Sequence, residues 1–113
     1  GGVIVSAPFC SLTHQAPYHM YSGFNRYWYK EIMKDIGFTN IIVEANGNWF
    51  DYMIQEIKRV PYMATRYAGK RNSFLYKIAV VPILMLLAYL NKTDNNSNEL
   101  LCFGYHVTAR KPE

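Results

Sequence analysis

Fourteen residues near the amino end, Pro8 to Tyr21 (PFCSLTHQAPYHMY), hold two histidines, two tyrosines, two prolines and a phenylalanine. An imidazole titrates close to neutral pH, so His14 and His19 are candidate general acids or bases. The plainer reading is that they cap loop backbone or stack on the neighbouring tyrosines. Five residues apart on a loop, with no third ligand in view, they make no metal site. The chain has ten tyrosines, and a tyrosine suits a half-buried pocket wall because its ring is apolar while its hydroxyl seeks a partner.

Such a loop needs rigid elements at its ends. Before it, Val3 to Ala7 is a short apolar run broken by Pro8, which reads as a strand. Loops at the carboxyl ends of strands are where open α/β sheets build their sites. After it, Ser22 is a candidate N-cap, and Phe24, Trp28, Ile32 and Ile36 form an apolar stripe of helical period. Arg26, Lys30 and Lys34 fall on the opposite, solvated face. Gly37 is the expected left-handed stop, and Phe38 opens an extended run. The consecutive β-branched Ile41, Ile42 and Val43 predict a strand covered on both sides. Asn46-Gly47-Asn48 is a turn, and Asn48 can cap the next helix.

That second amphipathic helix is expected over Asn48 to Val60, with Phe50, Met53, Ile54 and Ile57 inward and Pro61 kinking or ending it. Tyr62 to Asn72 interleaves Arg66, Lys70 and Arg71 with tyrosines; it reads as a solvated connector ahead of a phosphate or sulfate site. Phe74 to Leu90 is the most apolar stretch. A membrane span needs about twenty apolar residues. This run has seventeen, with Lys77 and Pro82 inside it, so a buried helix kinked at Pro82 is expected and a membrane- or partner-facing helix is the second option. Asn91 to Asn98 is a polar loop, and Leu100 to Ala109 is a final strand with Gly104 as a candidate bulge.

At 113 residues the chain is one domain or part of one. Half its residues are apolar and 18% are charged, which argues against disorder. The net charge of +4 permits an anionic partner without demanding one, so nucleic acid is not expected. Cys10 and Cys102 have no metal spacing and read as reduced, buried thiols of a cytoplasmic protein. Two glycosylation-acceptor patterns, at Asn91 and Asn95, carry little weight without a signal peptide. The chain enters its first strand directly from Gly1-Gly2, which is read as the continuation of a longer polypeptide; trimming is the bland alternative.

The order of these segments resembles the carboxyl-terminal half of a class I S-adenosylmethionine-dependent methyltransferase. The resemblance lies in Gly1-Gly2 leading into Val3-Ile-Val-Ser-Ala-Pro-Phe9, a helix ending in Gly37-Phe38, a strand over Thr39 to Glu44 and a last strand over Leu101 to Ala109. It implies an α/β fold: the carboxyl-terminal part of a Rossmann-like sheet, with about three strands, the last antiparallel. It also implies a single partial domain over 1–113, with a two-helix insertion or cap over 48–91. The family's glycine-rich turn and acidic cofactor residues lie in the amino-terminal half and have no counterpart here. The chain would therefore be the substrate-side portion of an enzyme that uses S-adenosylmethionine as co-substrate, not a competent enzyme alone.

In that reading Phe9, Tyr18 and Tyr21 bind substrate together with His14 and His19, and Arg26 holds an anionic acceptor group. Methyl transfer is an in-line displacement resting mostly on alignment, and His14 or His19 is the candidate base for a hard acceptor. Mild charge and abundant tyrosine favour a small or glycan-like acceptor over duplex nucleic acid. The rival class is a non-enzymatic interaction module: a homodimer through an exposed sheet edge or the apolar helix, or a peripheral membrane protein attached through residues 74–90.

Overall fold

The strand that comes last in the chain sits in the middle of the sheet. The computed structural model describes residues 1–12, 21–71 and 73–113. It divides into two units, Gly1–Asn48 with Asn98–Glu113, and Trp49–Ser97. The first is mixed α/β: β1 (Gly2–Pro8), α1 (Arg26–Asp35), β2 (Thr39–Asn46) and β3 (Gly104–Arg110), in sheet order β1-β3-β2. Both outer strands pair antiparallel with β3, so β1 and β2 point the same way and α1 is the crossover that joins them.

Alternation along the strands decides what is covered. Val5 and Ala7 of β1, Ile41, Val43 and Ala45 of β2, and Tyr105 and Val107 of β3 share one core with Tyr29 and Met33 of α1. Tyr105 and Val107 are fully buried because β3 has a strand on each side and a helix above it; Cys102, just before β3, is fully buried with them. The opposite face has no such cover: Ile4 is 79% exposed and Ile42 56% exposed. The expectation that β2 is covered on both sides is thus corrected. The run Ile41-Ile42-Val43 reflects β-branched preference for extended backbone on an edge strand, not double burial. Nor is Gly104 a bulge; the irregularity lies in β2 between Thr39 and Ile42, where Asn40 takes a left-handed φ of 51°.

The boundaries of α1 also shift. Asn25, not Ser22, caps it: Trp28 N donates to Asn25 Oδ1 at 3.1 Å. At the other end Gly37 has φ 97°, Gly37 N donates to the Lys34 carbonyl and Phe38 N to the Met33 carbonyl. That pair of bonds is a Schellman stop, and it makes Gly37-Phe38 the pivot into β2 as expected. The buried line of α1 runs through Tyr29 and Met33, while Trp28 and Ile36 of the expected stripe are exposed. Asn25 in place of Ser22 at the cap starts the helix three residues later.

The second unit is helical, with three helices where two were expected: α2 (Trp49–Lys58), α3 (Val60–Arg66) and α4 (Ser73–Asn91); a 3-10 turn at Ser97–Glu99 follows in the chain. Pro61 ends α2 and, in the first turn of α3, starts the next helix, so the expected connector from Tyr62 is helical as far as Arg66. Trp49 N donates to Ser97 Oγ at 3.2 Å, and Asn91 Nδ2 donates to Asp51 Oδ1 at 2.9 Å, tying the end of α4 to the start of α2. α2 and α3 both pack on α4. Even so, Val80 is the one buried residue of α4, which runs unbroken through Pro82. The expectation of a buried helix here is corrected: two short helices cover only one side of it.

Candidate functional site

The carboxyl ends of β1 and β2 and the start of β3 meet in the register Pro8–Gly104–Asn46. Phe103 bridges them, its N donating to the Asn46 carbonyl and its carbonyl accepting from Phe9 N. A Cβ on Gly104 would run into the Ala7 carbonyl, so only glycine lets β1 approach β3 this closely. A depression of about 240 Å3 opens here, lined by Pro8, Asn46, Phe103, Gly104 and His106 among others.

The loop that leaves β1 returns to the same point. Ser11 N and Ser11 Oγ both donate to the Ser22 carbonyl, at 2.7 and 3.1 Å. Gly23 has φ 134°, and a Cβ there would strike the carbonyls of Pro8 and Phe9. The Pro8 carbonyl accepts from Phe24 N and Tyr29 Oη, each at 3.4 Å. The base of the loop is therefore clamped to the end of β1. His14, Tyr18 and His19 lie outside the described residues.

Above that base the aromatic side chains form a continuous ladder. Phe24 stacks on Trp28 with ring centroids 4.0 Å apart, and Tyr21 lies 6.0 Å from Phe24. Tyr29 and Phe9 each meet the Tyr105 ring edge-on at 5.9 Å. The structure thus brings Phe9 into the core and ties Tyr21, largely exposed, to the ladder through Phe24.

Arg26 departs from the solvated face assigned to it. Its guanidinium lies 5.9 Å from the Tyr105 ring centroid, and Nη2 donates to Asn98 Oδ1 at 3.0 Å. Asn25 ends the coil and places Arg26 first in the helix, turned towards β3 rather than out with Lys30 and Lys34. Arg26 Nε and Tyr105 Oη are both buried and make no hydrogen bond. Burial, with a smaller contribution from the Cys102 thiol beside it, pushes the Tyr105 phenol up to about 12, the Arg26 guanidinium partly offsetting both. Burial likewise raises Tyr29. At neutral pH Tyr105 therefore keeps its proton.

Sequence reasoning found Arg26 but missed Tyr105, Tyr29 and Asn98. Tyr105 could have been found from the alternation of β3, which puts it on the same face as Val107. Nothing in the sequence joins Asn98 to Arg26, 72 positions away. Cys102 is buried as expected and donates to the Gly104 carbonyl at 3.3 Å, whereas Cys10 is exposed, against expectation, because it lies just past the sheet's end. On the uncovered face Ser6, His106 and Glu44 stand in one cross-strand row, with Ser6 Oγ 2.8 Å from His106 Nδ1. That row is exposed polar pairing of the kind that stabilises a solvated sheet face. Among the described residues no three His, Cys, Asp or Glu side chains gather as a metal site. No family model, curated protein or solved structure matches this chain.

Proposed function

We propose that this chain is the substrate-side portion of an S-adenosylmethionine-dependent methyltransferase, its sheet forming the carboxyl-terminal part of a Rossmann-like fold. The observation that carries the reading is the topology. Two strands run parallel, joined by a helix that stops at Gly37-Phe38, and a final strand runs antiparallel to both. The loop assigned to the acceptor springs from the carboxyl end of β1, where a site in an α/β sheet belongs.

In this reading the acceptor's lone pair attacks the methyl carbon, the carbon–sulfur bond breaks, and its electron pair stays on sulfur. The chain's part is alignment. Arg26 is assigned the anionic group of a small or glycan-like acceptor, Phe9, Tyr18 and Tyr21 its apolar part, and His14 or His19 its proton. The cofactor is held by the family's amino-terminal half. The test is calorimetric titration of S-adenosylmethionine into this chain and into an extended chain, if a longer natural polypeptide contains it. Binding by the extended chain alone is the expected result. Tight binding by the short chain would overturn the division of labour, and failure of both would remove the methyltransferase reading.

A second reading, a self-associating module, is favoured by one observation: β1 and β2 are both edges, and Ile4 and Ile42 flank Thr108 on the uncovered face. It requires concentration-dependent association in sedimentation equilibrium that Ile42→Lys abolishes. A monomer at all concentrations removes it.

A further inference from the structure

An unpartnered apolar surface runs along the outer side of α4. At 100° per residue, Tyr76, Val80, Leu84 and Leu87 fall on the side that α2 and α3 cover. The other side shows Phe74, Leu75, Ile78, Val81, Met85 and Tyr89, all exposed, with Met85 at 68%. No charged residue falls within that arc; Lys77 sits at its flank, beside the covered side. A helix face bathed in water ordinarily carries charge at this period, so the face requires an occupant.

The charges around it say which. From Ile57 to Thr93 every charged side chain is basic; Lys70 and Arg71 come just before α4 and Lys92 just after it, while Arg59 is paired with Glu56 at 3.1 Å. An apolar stripe with cations at both ends and at its flank matches the two layers of an anionic lipid surface, hydrocarbon and headgroup. Tyr62 and Tyr67, both exposed beside those cations, are the residue type that the water–lipid boundary favours. A second copy of the same surface would instead bring like charges together.

We infer that α4 docks on an anionic membrane, lying in the interface instead of crossing it. Its 19 residues would be long enough to cross, at roughly 1.5 Å per residue against a hydrocarbon layer of about 30 Å. However, α2 and α3 pack along it and carry Asp51, Glu56, Lys58, Arg59 and Arg66, and crossing would draw these charges into hydrocarbon. Lying flat immerses the charge-free arc while Lys77 reaches to the headgroups. This inference does not depend on the methyltransferase reading.

The test is co-sedimentation of the whole chain with phosphatidylcholine vesicles, with and without phosphatidylserine as about a third of the lipid. Binding to the anionic vesicles is expected, at least about tenfold weaker without phosphatidylserine, because several cations lie near the surface. Met85→Asp and Leu86→Asp replace exposed residues, so circular dichroism stays native while binding falls about tenfold. Arg71→Ala, outside the helices, weakens it about fivefold. In a Phe74→Trp and a Tyr89→Trp variant, shallow brominated lipid quenches the added fluorescence equally. Four results would overturn the inference: no sedimentation, sedimentation indifferent to phosphatidylserine, a soluble dimer that Leu86→Asp dissociates, or deep quenching at one end only.

Discussion

β3 and α4 are both apolar segments from the second half of the chain, yet they end in opposite environments. β3 contains His106 and Arg110 among its seven residues, and still places Tyr105, Val107 and Ala109 in the core. α4 is far more apolar and buries Val80 alone. Composition therefore did not decide burial. β3 lies between two strands with α1 above it, so each inward side chain meets neighbours from several directions. α4 meets two short helices along one side. Hydrophobicity sets how strongly a face gains from cover, at about 25 cal/mol per Å2, but only topology supplies the cover.

Two tyrosines give the largest test of that contrast. Tyr105 is 2% exposed and Tyr89 is 70% exposed. Tyr105→Ala should lower unfolding stability by about 4 kcal/mol, since it leaves a cavity amid Phe9, Tyr29 and Arg26. Tyr89→Ala should change it by less than about 0.5 kcal/mol in the same denaturant titration. Equal losses would break the contrast between the two regions.

Gly104→Val comes next, at about 2–3 kcal/mol, because its side chain must displace the Ala7 carbonyl in the closest approach between β1 and β3. Gly69, where a Cβ would meet nothing, is the matched control: its φ of 65° makes Gly69→Ala costly by only about 1 kcal/mol. Tyr105 also confers a pH dependence. Its folded value of about 12 lies above the ordinary 10, so the folded state favours the protonated phenol. That contribution is complete below pH 10 and is lost as pH rises through about 12, an expected fall of about 2 kcal/mol across the window. Tyr105→Phe should flatten that part of the alkaline unfolding curve; an unchanged curve would place the titration elsewhere. The smallest effect is at the helix start: Asn25→Ala should cost about 1 kcal/mol, while Ser22→Ala, outside the helix, should leave the cap's contribution intact.

Local signals were legible where a single residue type has a single backbone use. Gly37 stops α1 because few other residues tolerate its φ, and Pro61 separates α2 from α3 because it has no N–H to give the helix before it. The three strands were legible from β-branched runs and alternation. The candidate site was legible only in part. Arg26 was visible as a cation near the loop, but its partners Asn98 and Tyr105 come from the far end of the chain, and no periodicity links them.

The sequence by itself determined the order of strand, loop, helix and strand, the stop at Gly37-Phe38, and one strongly apolar helix. Each arises from interactions between residues a few positions apart. Tertiary structure alone decided that the last strand enters between the first two, that Arg26 turns inward over Tyr105, and that the most apolar helix is left largely uncovered. Those outcomes depend on which surfaces meet across the fold, and a residue's own chemistry carries no information about what will be placed against it.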